Sequence, residues 1–176
     1  MAPLIIQAGE GLPLATWASL ARPGQSAFDH GLERIRGSES WISWQKTWIA
    51  LVDGSPAGVL VTYLHGSDMP QPDPDTPAGF VPLVELEALA PNSRYILILS
   101  TLADHQGKGV GGALLAHAEA LEGPGRMSLI VSDSNTGAHR LYERKGYRIV
   151  ARRPIVSIPG WDSPGTEWML MVKDLE

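Results

Sequence analysis

The chain has 176 residues, 44% of them hydrophobic, and a formal net charge of −5. That suits one domain with a real core, excludes a disordered chain and argues against a general nucleic-acid binder, which needs a basic surface. It has no cysteine, so disulfides, thiolate metal sites and a cysteine nucleophile are excluded.

Residues Met1 to Ile6 carry neither a basic region nor a long apolar segment, so they do not read as a signal peptide. No apolar run is long enough to span a membrane. The expected setting is cytoplasmic, and a single domain over residues 1–176 is expected. Leu4-Ile5-Ile6-Gln7 reads as a short first strand, and Leu12 to Leu20 as a helix ended by Arg22-Pro23-Gly24-Gln25. Phe28 to Ile35 reads as a second helix with Asp29 placed to cap it. The aromatics Trp17, Phe28, Trp41 and Trp44 read as core residues or as walls of a substrate pocket.

Trp48 to Val52 and Ala57 to Leu64 are β-rich runs joined by Asp53-Gly54-Ser55-Pro56, the clearest hairpin in the chain. The segment from about 66 to 91 is read as an insertion. Its first half, Met69 to Pro77, is too rich in proline for regular structure. Its second half, Pro82 to Leu89, reads as a helix with proline at its start. An insertion this long reads as a lid, a subunit contact in a homodimer, or a solvated loop.

Tyr95 to Leu99 is an apolar run that reads as a buried strand. After the polar residues Asp104-His105-Gln106 come four glycines in six residues, Gly107, Gly109, Gly111 and Gly112. A helix pattern follows through Leu114, Leu115, Ala118 and Leu121, stopped by Gly123-Pro124-Gly125. Met127 to Val131 is a second strand. The unit is therefore strand, glycine turn, helix and strand, with the strands parallel. Glycine lets backbone amides approach a ligand, and a helix N-terminus has free N–H donors that attract phosphate. Arg148 to Arg153 and Trp168 to Val172 read as the last strands, separated by a turn from Ile158 to Gly165.

Three phosphate motifs compete for the turn. A P-loop needs Gly-Lys-Ser/Thr, which Gly107-Lys108-Gly109 does not supply. The dinucleotide pattern G-x-G-x-x-G is present as Gly107, Gly109 and Gly112, with Asp133 near the acidic position. There, however, the first glycine follows its strand almost directly, whereas here Ala103 to Gln106 intervene. The third pattern, Q-x-x-G-x-G, is present as Gln106-Gly107-Lys108-Gly109-Val110-Gly111. It resembles the acyl-CoA signature of the GCN5-related N-acetyltransferases. Leu99-Ser100-Thr101 resembles that family's strand bulge. Asn135, Ala138, Leu141-Tyr142-Glu143 and Lys145-Gly146-Tyr147 resemble its downstream segment. The resemblance is close over about Tyr95 to Val150.

The resemblance implies an α/β fold whose central, mostly antiparallel sheet has one splayed parallel pair and is flanked by helices. It implies acyl transfer from acetyl-CoA, as cosubstrate, to a primary amine of a small molecule or peptide, with no metal. Leu99, Ser100 and Thr101 would hold the pantetheine arm and polarise the thioester. Gln106, Gly107, Lys108, Gly109, Val110, Gly111 and Gly112 would hold the pyrophosphate. Tyr142 would be the general acid, and Asn135 would contact CoA or cap its helix. The family's carboxylate base has no counterpart on the strands Tyr95 to Leu99 and Met127 to Val131. Glu85, Glu87 or a water chain are stand-ins, and none is assigned. No nucleic-acid or membrane partner is expected. The alternatives are a CoA-binding sensor without turnover and a dinucleotide-dependent oxidoreductase.

Overall fold

A computed structural model describes residues 1–38, 40–123 and 125–175. Pro124, expected in the helix-stopping turn, lies outside the described residues. Among the described residues, six α-helices and six strands follow one another as α1 Ala2–Ala8, α2 Leu12–Leu20, α3 Ala27–Arg36, β1 Thr47–Val52, β2 Ser55–Leu64, α4 Val81–Glu87, β3 Arg94–Thr101, α5 Val110–Ala120, β4 Arg126–Ser132, α6 Thr136–Arg144, β5 Arg148–Pro154 and β6 Glu167–Asp174. The strands form one mixed sheet in the order β1-β2-β3-β4-β6-β5. β1 and β2, β4 and β6, and β5 and β6 pair antiparallel, while β3 and β4 are parallel. This is the mixed α/β architecture expected from the sequence.

The residues cluster into two compact units, interleaved along the chain. The first comprises Met1–Thr62, Leu97–Ala120 and Pro159–Trp161. Its core gathers Leu4, Ile5, Trp17, Ile35, Val59, Val61 and Ile98. The expected first strand is a helix instead. Pro3 sits in the first turn of α1, where its missing N–H costs nothing. Ala2 and Ile5, three apart, are both buried. A helix satisfies its own backbone groups, whereas a four-residue strand would need a sheet neighbour. The cap of α3 is also displaced from expectation. Ser26 is the N-cap and its Oγ accepts from the Asp29 N–H at 3.0 Å; the same hydroxyl donates to Asp29 Oδ2 at 2.7 Å. Of the four aromatics singled out, only Trp17 is core; Phe28, Trp41 and Trp44 are exposed. The hairpin turn has both Asp53 and Gly54 at positive φ, as a two-residue connection between twisted strands requires.

The second unit comprises Tyr63–Ile96, Leu121–Ile158 and Asp162–Glu176. Met127, Leu129, Leu170, Met171 and Val172 are buried along β4 and β6. α4 packs against β4, β5 and β6, with Leu86 and Ala90 fully buried. The helical half of the expected insertion is therefore part of this unit's core. In the proline-rich half, an Asp73–Thr76 turn is closed by Thr76 N–H onto Asp73 O at 3.1 Å.

Trp17 fixes the α2–α3 packing, because a Cβ built at Gly31 of α3 would lie 2.2 Å from its ring. Gly31→Ala would gain about 1 kcal/mol of helix propensity but would displace the ring, an overpacking that costs typically about 1–3 kcal/mol. We expect a lower melting temperature than wild type by calorimetry. An equal or higher one would mean that the contact is slack.

Candidate functional site

In the first unit, the end of β3, the glycine turn and the start of α5 are contiguous. Gly107 and Gly109 adopt φ of +71° and +89°, a region that L side chains rarely enter, and a Cβ added at either would meet nothing within 4 Å. The turn therefore presents open backbone surface. α5 starts at Val110, and the Ala113 N–H donates to Gly109 O at 2.9 Å. The first amides of α5, those of Val110, Gly111 and Gly112, have no acceptor within the helix and sit at the positive end of its dipole. Lys108 is exposed in the same turn.

Gln106 has a local structural task. Its Nε2 donates to Thr101 O at 3.2 Å, and Gln7 Nε2 donates to the same carbonyl at 3.2 Å. These bonds tie the turn to the strand end. Leu99 is half-buried, and the neighbouring Ser100 is buried with no hydrogen-bond partner for its hydroxyl among the described residues. Leaving such a donor unsatisfied costs about 1–3 kcal/mol, which a polar ligand at the strand end would recover. Behind the turn, Gly58 of β2 has no room for a side chain. A Cβ there would lie 2.9 Å from Ser100 O and 3.0 Å from Val110 Cγ1.

In the second unit, the loop after β4 aims α6. Asn135 is the N-cap of α6, its Oδ1 accepting from the Ala138 N–H at 3.2 Å. Ser132 O accepts from His139 Nε2 at 3.1 Å. Asp133 clasps the segment before β6, its two oxygens accepting from Thr166 N–H at 2.9 Å and Thr166 Oγ1 at 2.7 Å. Asp133, the acidic position of the dinucleotide pattern, is thus engaged within the fold. Tyr142, on the last turns of α6, is buried and packs its ring against Tyr147 at 5.8 Å between centroids. Burial raises its pKa above the ordinary phenol value, so its proton is retained through the neutral range.

Of the two stand-in carboxylates, Glu85 is ion-paired with Arg153. Glu87 instead faces His65 Nε2 at 3.6 Å and accepts from the Tyr95 hydroxyl. Sequence reasoning missed His65, Tyr63 and Tyr95 as partners of Glu87. They lie more than twenty residues apart in places, and no local spacing marks them. A lone histidine just past a strand was the available signal.

The sequence profile of the acetyltransferase (GNAT) family matches residues 15–147, and the chain belongs to that family. A comparison with curated proteins finds no match in sequence. Among solved structures, a protein described as an acetyltransferase is similar at a TM-score of 0.62 and 20% identity, over 99% of this chain and 93% of its own. An N-acetyltransferase from Staphylococcus aureus Mu50 is similar at 0.60 and 13%, over 98% and 97%. An Arabidopsis thaliana protein in complex with the bisubstrate analogue CoA-Ac-MVNAL is similar at 0.52 and 17%, over 93% and 91%. At these identities the structural likeness concerns the fold.

The Asp133 clasp carries its own pH signature. Hydrogen bonds from Thr166 lower its pKa below the ordinary 3.8. A depressed carboxylate contributes stability that is complete above the unfolded value and lost as pH falls through the folded one. Asp133→Asn should therefore lower urea stability at neutral pH and shrink the gap to wild type below about pH 4. A gap that stays constant with pH would show that ionisation of this carboxyl contributes nothing.

Proposed function

We propose that the chain is an N-acetyltransferase that moves an acetyl group from acetyl-CoA to a primary amine of a small molecule or peptide. The observation that carries this reading is the open glycine turn at the head of α5. Gly107 and Gly109 remove side chains from its surface, and the free amides of Val110, Gly111 and Gly112 suit a pyrophosphate. Membership of the family, and a neighbour of the same fold solved with an analogue joining CoA to a peptide, support it.

Bound acetyl-CoA supplies an activated thioester. The chain's own residues do the rest. The amides at the start of α5 hold the pyrophosphate, and Lys108 adds a positive charge. Groups at the end of β3, the Ser100 hydroxyl among them, meet the arm and carbonyl. Donors that face developing negative charge contribute a few kcal/mol. The Tyr142 hydroxyl gives its proton to the departing sulfur. Burial raises its pKa, so the proton is present at neutral pH while the phenol is a weaker acid than a free one. Asn135 fixes the start of the helix that carries Tyr142.

Two outcomes test the reading. Gly111→Glu places a negative side chain at the head of α5, and loss of acetyl-CoA binding in a folded variant is expected by calorimetry. Undiminished affinity would refute the assignment of the turn. Tyr142→Phe keeps the ring and removes the donor. Thiol release with the best amine of a panel should fall by about 10²–10⁴-fold, with acetyl-CoA affinity nearly constant. Near-normal kcat would leave Tyr142 as a packing residue.

A further inference from the structure

Two glutamine side chains meet one carbonyl at the end of β3. Gln106 Nε2 and Gln7 Nε2 each lie 3.2 Å from Thr101 O. A carbonyl oxygen has two lone pairs, so this pair of donors fills it. Gln106 is five residues away and ties down its own turn. Gln7 comes from 94 residues earlier, in the last turn of α1. All three residues belong to the first unit. Gln7 is exposed. Holding an exposed glutamine in one rotamer costs about as much entropy as one neutral hydrogen bond returns. The bond therefore adds little to stability, and stability does not explain it.

The backbone that carries Gln7 is held on both sides. Leu4 and Ile5 are buried with Val59, Val61 and Ile98. The turn after α1 is closed by the Gly11 N–H on Ile6 O at 2.9 Å, and Glu10 in that turn accepts from Trp161 Nε1 at 2.9 Å. The orientation of the carboxamide follows from its partner. Thr101 O can only accept, so the NH2 group faces it and Oε1 lies on the other side of the same planar group. Among the described residues nothing donates to that oxygen. Ile98 of β3 packs in the core that contains α1, and Ser100, two residues on, shares its face of the strand. The Ser100 hydroxyl is buried and has no partner among the described residues. Two polar groups, one exposed and one buried, are therefore left for a ligand at the strand end on the α1 side.

Resting on the acetyl-transfer reading, we infer that Gln7 receives the acceptor amine: its Oε1 takes one N–H and turns the nitrogen lone pair toward the acyl carbon at the end of β3. Gln7 is a specificity-determining residue and neither an acid nor a base, because its carboxamide keeps its protons throughout. The step balances. The nitrogen forms its bond to the acyl carbon and the carbon–sulfur bond breaks. The sulfur takes one proton, and the nitrogen releases one to solvent. A primary amine brings two hydrogens to the attack, so one stays on Oε1 while the other departs. An N-methyl amine brings a single hydrogen that has to serve both purposes, and the same site disfavours it. The arrangement selects primary amines by hydrogen count, without a charged side chain.

The test measures kcat and KM by thiol release with matched probes: benzylamine against N-methylbenzylamine, and an alanine-initiated peptide against its N-methyl form. Wild type, Gln7→Met and Gln7→Glu are compared, each with its acetyl-CoA affinity, pH profile and melting temperature. Gln7→Met keeps the length of the side chain and removes both polar groups. It should raise KM for the primary amines roughly three- to tenfold, the size of one neutral hydrogen bond. The ratio of kcat/KM between primary and N-methyl probes should shrink by a similar factor. Acetyl-CoA affinity, the pH profile and the melting temperature should hold. Gln7→Glu keeps an accepting oxygen but cannot donate to Thr101 O, so its ratio should stay closer to wild type than that of Gln7→Met. An unchanged ratio in Gln7→Met, with wild type turning over, overturns the inference alone. A lower melting temperature with equal loss for every amine also overturns it, since Gln7 would then only tie α1 to β3. Wild type that neither binds acetyl-CoA nor releases thiol overturns the acetyl-transfer reading and this inference with it.

Discussion

The sheet is built around one parallel pair, β3 and β4, which run side by side through Arg94↔Met127, Tyr95↔Ser128 and Ile96↔Leu129. β4 stays paired with β6 as far as Ser132↔Trp168, and the chain leaving β3 is held by the Leu102 N–H on Ala57 O at 2.9 Å. Thr101 O accepts from the side chains of Gln7 and Gln106, which ties the strand end to α1 and to the glycine turn.

An acidic chain with a net charge of −5 is an unlikely-looking host for a polyanionic ligand if charge is the only criterion. The geometry of the turn supplies another. Amides at a helix start are fixed dipoles that need no counter-charge, and glycines at positive φ leave them uncovered. A site built from backbone tolerates an acidic surface elsewhere. The same economy appears in the second unit, where Asn135 and Asp133 spend their oxygens on backbone and hydroxyl donors and so set the start of α6.

Much of this was legible in the sequence, for physical reasons that differ by element. The hairpin was plain because Asp-Gly between β-rich runs has few other solutions. α5 was plain because glycine punctuation and helical spacing agree. The Asn135 cap is local chemistry and reads locally. Residues Leu4 to Gln7 were misread because four apolar residues carry no period that separates strand from helix; burial beside Trp17 decided it. Asp29 was read as a cap although Ser26, three residues earlier, holds that place. The Glu87 cluster was the least legible. Glu87 was named beside Glu85 as a stand-in base, but its neighbours Tyr63, His65 and Tyr95 approach only through the fold, with α4 packed on β4, β5 and β6.

The central claim is that the turn at the head of α5 takes acetyl-CoA and not a dinucleotide. The melting temperature of the wild-type chain with excess acetyl-CoA, compared with excess NADH, tests it directly, since a ligand selective for the native state must raise that temperature. The account predicts a rise with acetyl-CoA and none with NADH. A rise with NADH alone, or with neither, would contradict it.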